Sequence, residues 1–438
     1  MVILKNFINI FYIPELFKKV LFTLGVLIIY RLGTHIPVIG VDIAALQEIM
    51  QQSKGLGGFF GYLDLFSGGT LRQCTLFALG MGPYITASIM MQFLGFSIPA
   101  LEQLLKEGEY GRKVINQYTR YLAILVSIVQ SSGIIYLLRH NNLILDSSFG
   151  FYFMFIFSLT VGSIFLMWLG EQISLFGLGN GSSMIIFAGI VASFPQDVWK
   201  TIYSVFYLEN MSGIVALALL GFFLISAACI VFLEKGERKI PVQYTRRVVG
   251  NRVYGGQSTY IPFKINTPGV MPVIFTGVVL NIPMFIASLL AQRFAIFNVF
   301  TESLEGFGAI HTVLEFVLII AFSYFYTSII YNPEELADNL KKSGGFIPGI
   351  RPGRKTAEFF NYILTRIGLV GAVYLALLAI APNLLYKLIY MPFFLTGTAL
   401  LIVVGVAMDT AAQLEAYLIE HRYEGFLTNG RMKMRGTR

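Results

Sequence analysis

The sequence is poor in charge, histidine and cysteine. Of its 438 residues only 13% are charged, four are histidine and two are cysteine. Soluble domains carry about 25% charged residues, so an ordinary soluble enzyme is excluded. Disorder needs low hydrophobicity with high net charge and is excluded as well. Cys74 and Cys229 lie far apart in or beside apolar stretches. They read as small buried apolar residues, and neither a disulfide framework nor a zinc site can be assembled from them. His35, His140, His311 and His421 are scattered, and neither an HExxH pair nor a G-x-S-x-G elbow occurs. Gly344 and Gly349 have the spacing of a phosphate loop, but Ile350 stands where lysine is required. No catalysis and no cofactor are expected. Lys5, Glu15, Lys18 and Lys19 precede the first long apolar run. No small-residue cleavage site closes that run, so no cleavable signal peptide is expected.

What the chain has is apolar length. Residues of the apolar set make up 56% of it, and the mean hydropathy is +0.70. Strands of a membrane barrel alternate and never build long apolar runs, which leaves a helical membrane protein. A bilayer core needs about 20 apolar residues per helix. Ten candidates follow: Val20–Pro37, Thr75–Phe96, Tyr121–Leu138, Phe151–Ile173, Ser182–Phe194, Gly213–Leu233, Val270–Leu290, Thr312–Ile330, Ile363–Ala381 and Phe393–Leu414. The fifth is short and carries Gly189.

The charge excess is +8, from 32 Lys+Arg against 24 Asp+Glu. With ten spans and both termini on one side, 23 of the cations fall on the terminal side, six on the other, and Arg31, Arg120 and Arg366 in or at the ends of spans. The positive-inside rule makes the cation-rich side cytoplasmic. Five spans precede residue 200 and five follow it, giving expected halves 1–200 and 201–438. Five is odd, so halves of common ancestry must be inverted across the membrane, a known way to build a central pathway. Arg31, Glu171, Glu315 and Asp409 are the main ionisable residues inside spans, mostly toward span ends, where snorkelling or helix pairing satisfies them. An ion-coupled transporter needs such groups near the midplane.

Three hydrophilic segments carry information. Residues 55–73 include an apolar run, Phe59–Phe66, too short to cross and bracketed by glycines. It reads either as a half-helix entering the bundle or as an interfacial loop. The loop 234–268 holds seven cations and, after Glu237, no acid before Glu302. Ile240–Tyr244 and Arg252–Tyr254 alternate weakly, which predicts a hairpin. Its charge suits an anionic partner, namely ribosomal RNA, an acidic motor or anionic lipid, or expresses the positive-inside bias alone. In the loop 331–362, Pro333 predicts the start of a short helix with Glu334 and Glu335 in its first turn and Lys341 and Lys342 in its last, matching the helix dipole. Gly344 and Gly345 are expected to end it. Arg351 then sits in a Gly/Pro-stiffened turn that aims one cation outward.

Several runs resemble the bacterial SecY family, the central subunits of the Sec protein-conducting channel. They are Ala78-Leu-Gly-Met-Gly-Pro-Tyr-Ile-Thr-Ala-Ser-Ile-Met-Met-Gln, Gly179-Asn-Gly-Ser-Ser-Met-Ile-Ile-Phe-Ala-Gly-Ile, Asn332-Pro-Glu-Glu-Leu-Ala-Asp-Asn-Leu-Lys-Lys-Ser-Gly and Pro348-Gly-Ile-Arg-Pro-Gly. Phe66-Ser-Gly-Gly and Tyr423-Glu-Gly-Phe fit as well, and the likeness runs from about Pro14 to Phe426. It implies an all-α membrane protein: ten transmembrane helices in two pseudo-symmetric inverted five-helix halves around an hourglass pore. It implies a plug at about 57–70 (Phe59, Phe60, Tyr62, Leu63, Leu65, Phe66), which favours the half-helix over the interfacial loop. A pore ring falls on Met81, Ile85, Ile186, Ile190, Ile274 and Ile402; Met81 stands where the family usually has isoleucine. Met81/Ile85 and Ile186/Ile190 are each four apart and share a helix face, as core packing would also require. Spans two and seven resemble the lateral gate, with Ser88, Gln92 and Thr276 as its polar groups.

The resemblance further assigns docking to Arg246, Arg247, Arg252 and Arg351. The family often has two basic residues before Val-Tyr, whereas this chain has Asn251-Arg252. Implied partners are SecE-type and SecG-type small membrane subunits, the SecA motor ATPase, the ribosome, signal peptides, nascent or unfolded polypeptides, and lipid. The implied location is the bacterial plasma membrane, ahead of a thylakoid. The competing class is a secondary transporter of a small solute, against which the large basic loops and scarce midplane charges argue; a scaffold or lipid-handling membrane protein is the third.

Overall fold

The computed structural model describes residues 13–43, 45–46, 64, 67–140, 143–144, 148–207, 212–244, 247–249, 252–254, 258–291, 308–389 and 396–433. These fall into two compact units, residues 1–198 with 406–438, and residues 199–405.

The first unit is helical. Helix α1 (Pro14–Gly33) opens on a proline at its first turn, where a missing N–H costs nothing. It stops at Gly33, earlier than the predicted Pro37; Thr34 caps it, its hydroxyl donating to the Arg31 carbonyl. Pro37 instead makes an isolated bridge to Thr75. Helix α2 (Gly82–Ser97) begins seven residues after the predicted Thr75. The intervening residues form turns, with Gly80 at φ +53°. Ile98 then adopts an extended conformation (φ −109°, ψ 114°), as a residue before proline prefers. The chain bends by 102° there into α3 (Pro99–Lys106). Helix α4 (Glu109–His140) returns along α2, and α5 (Phe149–Phe176) packs on α4 and α1. Helix α6 (Gly181–Phe206) is twice the predicted length and runs through Pro195. Membrane helices tolerate such a proline when neighbours absorb the freed carbonyl.

The second unit holds the remaining helices and the only sheets among the described residues. Helix α7 (Gly213–Lys235) is apolar all round, with Ile214, Leu217 and Phe232 each at least 74% exposed. That pattern suits lipid rather than water. Strand β1 (Glu237–Tyr244) pairs antiparallel with β4 (Ser258–Lys264), Glu237 opposite Lys264 and Gln243 opposite Ser258. Between them β2 (Arg247–Val249) pairs with β3 (Arg252–Tyr254). The predicted hairpin is thus an antiparallel ribbon, and Ile240 and Val242 alternate inward as expected. Helix α8 (Met271–Ala291) and helix α9 (Ala309–Ile330) pack together. Helix α10 (Pro333–Lys342) is followed by β5 (Gly345–Phe346), which joins the other edge of β1. Gly345 therefore belongs to a strand and does not end the helix as expected; Ser343 caps it, and Gly344 (φ +74°) turns the chain. Helix α11 (Arg354–Ile389) lies against α9, and α12 (Gly397–Lys433) begins in this unit and ends in the first.

Two cores hold the second unit. Ile230, Leu233, Val273, Ile319, Leu375 and Leu401 form one among the apolar helices. Ile240, Val242, Phe263, Ala337, Leu340 and Phe360 form the other, beneath the ribbon and α10. Each fully buried large side chain contributes about 1.5–3 kcal/mol. The Asn332 carboxamide accepts from the Glu334 N–H at 3.1 Å and caps α10. We expect Asn332→Ala to lower the stability of this small core by about 1 kcal/mol. Faster hydrogen exchange confined to α10 and β5 is the measurement, and unchanged exchange would count against the cap.

Each of the ten predicted spans overlaps a helix among the described residues. Among the described residues six helices are long and apolar enough to cross a membrane alone, and seven if α2 and α3 are taken as one bent span. Of the two ways expected to satisfy in-span charges, snorkelling does not apply to Glu315, which is buried within α9 with His311 Nδ1 4.0 Å away.

Candidate pore site and basic platform

The implied plug residues Phe59, Phe60, Tyr62, Leu63, Leu65 and Phe66 lie outside the described residues. What is described is the root of that segment, Asp64 and residues 67–75. The Asp64 carboxylate is buried and accepts from Arg72 Nε at 2.6 Å and from the Leu71 N–H at 3.2 Å. Its carbonyl accepts from the Gly69 N–H and the Ser67 hydroxyl. The Thr70 hydroxyl reaches both the Ser67 and the Phe77 carbonyls at 2.9 Å. Burial pushes the Asp64 carboxyl above the usual carboxylate range, and the Arg72 guanidinium pulls it back. Cys74 closes the turn in a left-handed conformation (φ +45°), and burial pushes its thiol up to about 12. Such a thiol is inert. Sequence reasoning missed this network. Its one visible signal was a lone aspartate inside an apolar run with an arginine eight residues on.

Of the implied ring residues, Met81, Ile186 and Ile190 are buried in the first unit and Ile85 is half-buried. Met81 is not inside a helix; it is the N-terminal cap position of α2, and its carbonyl accepts from the Ile85 N–H at 3.0 Å. Ile274 on α8 and Ile402 on α12 are buried in the second unit. The start of α6, which carries Ile186 and Ile190, is tied down on three sides. Thr23 Oγ1 accepts from the Leu178 N–H, Gln413 Oε1 from the Gly179 N–H and Ser174 Oγ from the Gly181 N–H. Of the implied gate residues, Ser88 and Gln92 are half-buried on α2. Thr276 is buried on α8 and donates its hydroxyl to the Pro272 carbonyl of its own helix.

The basic loops form a platform over the second core. Arg246 lies outside the described residues, and for Arg247 and Arg252 only the strand backbone is described. Lys239 stacks over Tyr260 at 4.8 Å and pairs with Glu237 at 3.1 Å, which raises its pKa. Arg351 is exposed on a turn bounded by Gly349 (φ +83°) and Gly353 (φ +103°). Thr356 Oγ1 donates to the Arg351 carbonyl and the Ile350 N–H to the Ile347 carbonyl, so the turn is rigid where it carries the charge. The next cations, Arg354 and Lys355, face Glu358 at 3.5 and 2.7 Å. Their charge holds the Glu358 carboxyl below its ordinary range, Lys355 first. Among the described residues no group of three or more His, Cys, Asp or Glu is placed to hold a metal.

A family model described as SecY matches residues 75–411. The chain is 42% identical to a protein translocase subunit SecY of Streptomyces scabiei, over 97% of this chain and 100% of that one. It is 43% identical to the Streptomyces coelicolor subunit and 41% to that of Mycobacterium tuberculosis, again over 97% of this chain and all of each relative. Among solved structures it is similar to a protein-conducting channel, with TM-score 0.61 and 19% identity over 91% of this chain and 92% of that one. It is also similar to canine Sec61 from a ribosome-channel complex, with TM-score 0.58 and 19% identity over 91% and 92%. The fold is thus that of the SecY/Sec61 channels, reached by an end-to-end match with bacterial sequences. On that ground the chain belongs to the SecY family.

Proposed function

We propose that the chain is the channel-forming subunit of a bacterial protein translocase. In this role it passes secretory polypeptides across the membrane and releases transmembrane segments sideways into lipid. The observation that carries this is the likeness to bacterial translocase subunits across 97% of the chain. The channel fold of its structural neighbours supports it. The solute-transporter alternative has no support among these relatives.

The finer reading rests on the resemblance. The channel divides into halves 1–200 and 201–438, and Met81, Ile85, Ile186, Ile190, Ile274 and Ile402 form an apolar ring. Such a constriction excludes water and ions by dewetting, and it seals around a passing chain without binding it. The segment 57–70 plugs the outer side; in one structural relative a plug domain is described as stabilising the closed state and maintaining a membrane seal. A signal peptide engages the lateral gate, to which the resemblance assigns Ser88, Gln92 and Thr276, and the plug moves. The energy comes from outside the chain. The basic platform, with Arg246, Arg247, Arg252 and Arg351, receives SecA or a translating ribosome. Two structural relatives are ribosome-bound channels, which supports the latter. SecE-type and SecG-type subunits complete the complex in the bacterial plasma membrane, with both termini cytoplasmic.

The test is reconstitution. The chain, co-purified with a SecE-type subunit and placed in vesicles with SecA, imports a secretory precursor only when ATP is present. Uptake of a small solute by the chain alone, without precursor import, would contradict the reading.

A further inference from the structure

Helices α9 and α11 face each other along two buried stripes. Tyr331, just after α9, and Phe360, near the start of α11, both pack on Phe263. A Cβ on Gly368 of α11 would meet Thr327 Oγ1 of α9 at 4.0 Å, and Ile319 shares a core with Leu375, Ala376 and Ala379. The two helices therefore run in opposite directions, with the Ile330 end of one and the Arg354 end of the other at the platform. Steps of four keep to one face of a helix. Glu315 and His311 continue the face of Ile319 in such steps, and Asn383 continues that of Leu375 and Ala379. About 12 Å of helix separates Ile319 from His311, and the same rise separates Leu375 from Asn383. At the end away from the platform, both apolar stripes thus turn polar at one level.

This polar end is rich in acceptors. His311 Nδ1 and Asn383 Oδ1 are buried and have no hydrogen-bond partner among the described residues. Glu315 is 8% exposed, with Oε2 4.0 Å from His311 Nδ1. Among the described residues no lysine or arginine pairs with it. A buried polar atom without a partner costs free energy, and a buried carboxylate without a counter-charge costs more. One kind of ligand relieves all three side chains, a metal cation. An imidazole nitrogen with carboxylate and amide oxygens suits a zinc-type ion better than magnesium or calcium. Bonds of about 2.0–2.2 Å let one zinc ion span donors up to about 4 Å apart. A small side-chain rotation then draws Nδ1 and Oε2 together around it. Asn383 supplies the third donor that histidine and carboxylate residues alone do not.

We propose that His311, Glu315 and Asn383 form a zinc-type cation site that ties α9 to α11 at the end away from the platform, with water as the fourth ligand. An ionisable residue inside a span calls for a partner, and the ion is that partner for Glu315. The site is independent of the channel reading, since it needs only these two helices.

The full chain, purified without a polyhistidine tag and stripped with chelator, is titrated with zinc. It should bind one zinc ion per chain and keep it against millimolar calcium and magnesium. Glu315→Gln and His311→Phe each remove a ligand and should weaken binding by more than about 100-fold, the upper range for loss of an outer-shell partner. Asn383→Ala should weaken it about tenfold. His35→Asn is the control; the His35 ring already meets the Arg31 carbonyl at 2.9 Å, and its loss should change nothing. The zinc X-ray absorption edge of the wild type should show one imidazole, oxygen ligands and no sulfur, which keeps the test decisive where a variant fails to fold. Equal zinc binding by the wild type and Glu315→Gln would mean an adventitious ion only and would overturn the site. So would no bound zinc, displacement by calcium, or a sulfur ligand from Cys74 or Cys229.

Discussion

Replacing Ile85, Ile186 and Ile402 together by serine makes the resting channel conduct ions. Ile186 and Ile402 are buried and Ile85 half-buried, and they occupy three different helices. Each substitution removes an apolar branch and adds a hydroxyl, so a constriction that was dry can hold a water file. A dewetted gate fails cooperatively, since the last bridging water makes the path continuous. One substitution leaves five apolar ring residues and a small effect. Three replace half of the ring, and the leak should rise from undetectable to readily measured. Truncating a buried isoleucine also costs about 2–5 kcal/mol of packing. The triple valine variant, which shrinks the ring and keeps it apolar, is therefore the companion. It should stay sealed. Equal leak from the valine and serine variants would assign the effect to packing, and no leak from the serine variant would remove these residues from the seal.

The second large effect is expected at Arg351. Arg351→Glu should abolish SecA-driven import while the protein inserts in normal amounts. The side chain is exposed, so reversing its charge costs the fold no more than about 0.5 kcal/mol. At an interface the same change is expensive, because an arginine anchor is worth about 2–4 kcal/mol to binding, or roughly 30- to 1,000-fold in affinity. The rigid turn matters to that estimate. Gly349, Gly353 and the Thr356 hydroxyl hold the backbone, so little entropy is lost when a partner docks. Arg354→Glu is the contrast. Its guanidinium already faces Glu358, and the expected loss is small. Import measured at rising SecA concentration separates the cases: a defect rescued by excess SecA is one of docking, and normal import at limiting SecA would contradict the assignment.

The long apolar elements were legible from the chain because a bilayer leaves an apolar run no alternative to a helix. Their ends were not. Helix α2 starts at Gly82, since the Phe77–Met81 stretch is wound into turns around Gly80. Helix α6 passes Pro195 because a single lost hydrogen bond does not end a long apolar helix. The ribbon was legible at Ile240 and Val242, where alternation survives in the burial, and α10 at Asn332 and Pro333, where local capping chemistry decides. The network of Asp64 and residues 67–75 was not legible. Its partners, Tyr30 with Ser67 and Gly68 with Gly189, lie 37 and more than a hundred residues apart, and no periodicity connects them. The burial of Glu315 was not legible for a related reason: distance from a span end says nothing about which neighbours cover the side chain.

The central claim is that a polypeptide passes through this chain at the level of the ring. Its most direct test is photocrosslinking from single positions during import of a precursor arrested part-way. A photoreactive residue at Ile186, Ile190 or Ile402 should capture the precursor, and one at Leu217, 74% exposed on the apolar face of α7, should capture lipid. Import that proceeds with no crosslink from any ring position, or with equal capture from Leu217, would contradict the account.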